Sequence, residues 1–86
     1  MDLALVRADG WREVKIYNEL IRSGETEAMN LYYRGYGYQM AGRYQLAIDD
    51  YDACLAMDPA NDFVRLFRAR AEELLNTYPI NQSMNE

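Results

Sequence analysis

Between Leu31 and Pro59 the chain places small and aromatic residues at fixed offsets: Gly35, Tyr38, Gly42, Ala47, Tyr51 and then Pro59. Residues three and four apart share a helix face, so Leu31, Gly35, Tyr38 and Gly42 mark one side of one rod. Ala47, Ile48, Tyr51, Cys54 and Leu55 mark one side of a second rod. Gly42 supplies the turn between them. Small residues facing each other, Gly35 on one rod and Ala47 on the other, let the axes approach toward the lower end of the roughly 8 to 10 Å packing range. Tyr38 and Tyr51 fill the space around that contact, and each hydroxyl then needs a partner or solvent. Asp58 precedes a proline and is biased away from helical dihedrals, which ends the second rod. An antiparallel helix pair satisfies all of these positions at once.

The same stretch spells L-x2-R-G-x2-Y, A-x3-Y and P, and it resembles the tetratricopeptide repeat, written W-x2-LG-x2-Y, A-x3-F, P over about 34 residues. The resemblance implies an all-α fold of antiparallel helix pairs in a right-handed superhelical stack. In that family the first helix of each pair lines a concave groove that takes an extended or helical segment of a partner protein. By resemblance the partner-binding face is Met29, Tyr32, Tyr36, Gln39 and Met40, and the structural positions are Gly35, Tyr38, Ala47, Tyr51, Cys54 and Pro59. A subclass of the family grips a chaperone's C-terminal carboxylate through Lys and Asn. Tyr32 and Tyr36 stand in their place, so that ligand is not expected. Leu31 replaces the family's tryptophan. Arg34 replaces its leucine, and a guanidinium among packed side chains must snorkel out or find a carboxylate.

Around this repeat the periodicity predicts further helices. Asp2 to Ala8 reads as a short helix ended by the turn dipeptide Asp9-Gly10. Trp11 to Arg22 follows, with Val14, Tyr17, Leu20 and Ile21 on one stripe, closed by Ser23 and Gly24. Ser23 or Thr26 is placed to cap the helix from Glu27 to Ala41, and Tyr44 to Met57 forms its partner. Counting back about 34 residues, the N-terminal stripe aligns with Ile48, Tyr51, Cys54 and Leu55. Residues 1–27 therefore read as a degenerate half repeat, 28–61 as the full repeat and 62–77 as a capping helix. In that helix Phe63, Leu66, Phe67, Ala71 and Leu74 are expected inward, while Arg65, Arg68 and Glu72 suit a polar outer end. Residues 78–86, with Pro79, read as a flexible tail.

Composition narrows the function. Fourteen acidic residues against nine basic ones leave a net charge of −5 over 86 residues, unfavourable for displacing phosphate counterions. No nucleic-acid or membrane partner is expected. One cysteine and no histidine give no disulfide frame, no zinc set and no common general base. Cys54 has no Lys or Arg within a helical turn to lower its pKa, so it reads as a small buried hydrophobe. Asp49, Asp50, Asp52 and Asp58 lack the glycine and terminal glutamate of a calcium loop and read as a solvated acidic face. Gly35 and Gly37 lie within a helix and cradle no phosphate. No secretory leader or membrane span is apparent, so a cytoplasmic location is expected.

The expected function is that of a non-catalytic adaptor or small chaperone, without cofactor or metal, holding an apolar or aromatic protein segment. Tyr presents a rigid contact area and Met an adaptable one. Two alternatives stay open. The tyrosine face packs against the chain's own helices or joins copies into an oligomer, or the acidic residues occupy the cleft of a basic enzyme.

Overall fold

A computed structural model of the chain describes residues 3–25 and 27–78. Among the described residues there are four α-helices and no strand: α1 Leu3–Arg22, α2 Ala28–Met40, α3 Tyr44–Met57 and α4 Asp62–Thr77. The connections are short, which makes consecutive helices antiparallel neighbours. Residue pairings follow that arrangement, with Gly10 opposite Gly37, Tyr17 opposite Tyr33, and Asp52 meeting Arg68. Each helix packs on the next, and α2 also touches α4.

The all-helical expectation holds, but the break expected at Asp9-Gly10 does not exist. α1 runs without interruption through both residues, and Gly10 is buried. Its role is close approach. A Cβ on Gly10 would lie 2.5 Å from the Gly37 carbonyl oxygen and 2.6 Å from the Ala41 nitrogen. A Cβ on Gly37 would lie 2.8 Å from the Gly10 carbonyl oxygen. The backbones of α1 and α2 thus touch directly, which offsets the roughly 1 kcal/mol that each mid-helix glycine costs relative to alanine.

On its other side α2 approaches α3, with Gly35 nearest to Tyr51 and Asp50 rather than to Ala47. A Cβ on Gly35 would lie 2.8 Å from the Tyr51 ring and 3.1 Å from the Asp50 Cβ, and Ala47 is fully buried. Gly42 turns the chain with φ +82°, a region that side chains rarely adopt. The core gathers Tyr32, Ala47, Ile48, Tyr51, Cys54, Val64 and Ala71, ringed by Leu31, Tyr38, Leu55, Phe67 and Leu75. It is built from α2, α3 and α4. α1 attaches to its flank through the glycine contact, Val14 and two aromatic pairs, Trp11 with Tyr38 and Tyr17 with Tyr33.

Three further expectations need correction. Ser23 does not cap α2, because its Oγ donates to the Leu20 carbonyl 2.9 Å away. Glu27 is the N-cap residue and makes no side-chain capping bond; Thr26 lies outside the described residues, as does the expected tail apart from Tyr78. In α4 the buried stripe is rotated to Val64 and Ala71, leaving Phe63 and Leu66 exposed. The reason is that α4 has only α3 and the edge of α2 to pack on, so a second row of apolar residues finds no cover. Asp50 is not part of a solvated face. It falls three residues after Ala47 and four before Cys54, on the inward side of α3, and it is buried.

Candidate functional site

The buried Asp50 answers the question posed by Arg34. The guanidinium grips the carboxylate with two parallel bonds, Nε to Oδ2 at 2.8 Å and Nη2 to Oδ1 at 2.7 Å. Its remaining arm donates to Asn18 Oδ1 at 3.0 Å, so one side chain ties α1, α2 and α3 together. The hydrogen bond to Asp50 raises the Arg34 pKa further above its ordinary value, against the opposing effect of burial. Arg34 also lies 5.9 Å from the Tyr38 ring centre. Every buried side-chain polar atom among the described residues has a partner. A fully satisfied buried network of this kind rigidifies the contact between the helices it joins.

The five residues assigned to the partner-binding face divide. Met29 and Tyr36 are exposed, at 40% and 37%. Gln39 and Met40 are half-buried, and Gln39 Oε1 accepts a 2.8 Å bond from the Tyr51 hydroxyl. Tyr32 is buried at 7%. Its ring centre lies 6.0 Å from that of Tyr51, 5.4 Å from Phe67 and 5.6 Å from Phe63. Tyr36 meets the same Phe67 edge-on at 5.7 Å. Rings on α2 and α4 therefore form one packed layer. Phe63 at 54% and Leu66 at 70% exposure continue it on the α4 side.

Phe63 and Leu66 were not foreseen as surface residues. The one sequence signal was that Val64 and Ala71 supply an equally good stripe, seven residues apart, which makes Phe63 and Leu66 an edge. A small apolar recess of about 190 Å³, lined by Leu66, Phe67 and Arg70, lies beside them.

Electrostatically the surface is quiet. Burial raises the Tyr32 pKa, with smaller contributions from the neighbouring Tyr36 and Tyr33 phenols. Burial raises Tyr51 more strongly. The buried Tyr32 and Tyr51 phenols therefore hold their protons, and the exposed ring of Tyr36 offers an apolar face with a hydroxyl rim. Cys54 is fully buried, and its thiol is likewise pushed up by burial, which keeps it protonated and poorly nucleophilic. Among the described residues no group of three or more His, Cys, Asp or Glu is placed to hold a metal ion. No helix among them is long and apolar enough to cross a membrane. Comparison with family models, curated proteins and solved structures finds no match to this chain.

Proposed function

We propose that the chain is a tetratricopeptide-like, non-catalytic interaction module, an adaptor or small chaperone of the cytoplasm that holds an apolar or aromatic segment of another protein. The observation that supports this reading is the ring layer shared by α2 and α4. Met29, Tyr36, Phe63 and Leu66 are exposed above rings already packed in place. A partner that covers them freezes few additional rotors, which is why rigid aromatic groups dominate interface energetics. The right-handed stack belongs to the same reading, supported by the fit of Gly35 against Tyr51 and by the contact of α2 with α4.

The test is a titration of the full chain with two peptides identical except that one carries Leu and Phe one helical turn apart where the other carries Ser. Saturable binding of the apolar peptide alone is expected. Tyr36→Glu should weaken it by about 30-fold, the effect of losing roughly 2 kcal/mol at an interface hot spot, with helical circular dichroism retained. Equal binding of both peptides, or an unaffected Tyr36→Glu variant, would reject the assignment.

A second reading, a self-assembling structural unit, draws on a different observation. Leu5 and Ile16 on α1, at 63% and 51% exposure, join Leu66 on α4 as uncovered apolar residues at the two outer helices. Light scattering separates the readings: a monomer that takes up the peptide supports the adaptor, whereas an oligomer that Ile16→Glu or Leu66→Glu dissociates supports the structural unit.

A further inference from the structure

At one end of the bundle, where α1 and α3 begin and α4 finishes, Leu3, Arg7, Tyr44, Leu74 and Tyr78 line a cleft of about 300 Å³. That volume is at the lower end of the roughly 300 to 1,000 Å³ of small-molecule sites. α2 contributes no lining residue, so the cleft is distinct from the Tyr36 and Phe63 surface and independent of the proposed function. Its walls combine two leucines with three side chains that end in hydrogen-bond donors.

Arg7 is the telling member. Arg12, Arg22, Arg34, Arg65, Arg68 and Arg70 each reach a carboxylate. Arg7 reaches none among the described residues, although the chain carries fourteen acidic side chains and a net charge of −5. Its guanidinium lies beside the Gly42 turn, with Nε 3.5 Å from where a Gly42 Cβ would stand. An arginine that meets no carboxylate among the described residues, lining a cleft with two leucines and two tyrosines, is a candidate for a counter-ion supplied from outside.

We propose that this cleft binds a small monocarboxylate with a hydrocarbon body. The carboxylate sits on the Arg7 guanidinium, with the Tyr44 and Tyr78 hydroxyls as additional donors, and the hydrocarbon lies against Leu3 and Leu74. A single cation matches a single negative charge. A phosphate monoester, with about −1.5 to −2 at neutral pH, would be under-compensated, and a bare inorganic anion would leave the leucines unfilled. Guanidinium and carboxylate are a natural pair because two parallel bonds form at once.

The experiment is a nuclear magnetic resonance titration of the isotope-labelled full chain with sodium octanoate, octan-1-ol and sodium acetate. Octanoate should shift amides around residues 3–7, 44 and 74–78 in a saturable way. Octanol and acetate should each bind about tenfold more weakly, as expected for loss of the charge-assisted bonds or of the apolar contact. Arg7 is exposed, so Arg7→Gln should keep the native spectrum elsewhere while reducing octanoate to the octanol level. Equal binding of octanoate and octanol by the unmodified chain would overturn the proposal without recourse to any variant. So would shifts centred on Tyr36 and Phe63, or octanoate binding unchanged in Arg7→Gln.

Discussion

A hydrogen atom in place of a side chain decides where α1 sits. At Gly10 the obstacles to a methyl group are the Gly37 carbonyl oxygen and the Ala41 nitrogen, at 2.5 and 2.6 Å. Both are backbone atoms that no rotamer change can remove. Alanine would gain about 1 kcal/mol of helix propensity and still lose overall, because overpacking of this kind costs about 1 to 3 kcal/mol and the helices must separate. Gly10→Ala is therefore expected to lower the urea midpoint, measured by circular dichroism. An unchanged or raised midpoint would show that the contact is looser than described. The residue scale also shows where sequence reading reached its limit. Gly35 and Tyr51 were readable as inward positions because their spacing suits two packed helices, but the small residue expected opposite Gly35, Ala47, is buried elsewhere in the contact. Gly10 was misread as a turn because a glycine beside an aspartate is ambiguous until the partner helix is in place. Arg34 could be identified as needing a carboxylate, but choosing Asp50 from four nearby aspartates required the rotation of α3.

At the scale of elements, α4 is the most local in its determinants. Asn61 Oδ1 accepts from the Val64 amide at 3.1 Å, and its amide group donates to Asp58 at 3.2 Å. The cap thus fixes the start of α4 and the turn that leaves α3. Asn61→Ala is expected to destabilise the fold by about 1 kcal/mol, while Asn61→Ser or Asn61→Asp should retain most of that stability. Thermal unfolding monitored by circular dichroism distinguishes these outcomes, and an alanine variant equal to the parent would mean that the cap bond contributes nothing. Helix α3 was placed at its observed bounds from sequence because Gly42 and Pro59 punctuate it on both sides. α1 carries a misleading mark, Asp9-Gly10, and its continuity through it follows from packing rather than from any local signal. The surface position of Phe63 and Leu66 was hidden for a related reason: an amphipathic pattern fixes the width of an apolar stripe but not how much of it the neighbours cover.

Across the whole molecule the tyrosines set a pH limit. Tyr17, Tyr32, Tyr38 and Tyr51 are all raised above 10.0, chiefly by burial, and Cys54 is raised above 9.0 for the same reason. The unfolded chain loses these protons first. Stability is then complete below about pH 9 and falls as pH rises, through the Cys54 window and more steeply through the tyrosine window above about 10, since there the native state binds more protons than the unfolded one. Urea midpoints measured from pH 8 to 11.5 should decline in that order. Tyr51→Phe should make the upper limb shallower by about 1.4 kcal/mol per pH unit, one proton's worth. A slope unaffected by that change would place the alkaline sensitivity elsewhere. Trp11 is the only tryptophan of the chain, against eight tyrosines, and its ring stands edge-on to Tyr38 at 6.0 Å across α1 and α2. Its fluorescence is therefore an intrinsic gauge of whether the first helix is docked, while six of the eight tyrosines lie on α2 and α3, so loss of the Trp11 signal ahead of the tyrosine signal marks partial detachment without any attached dye.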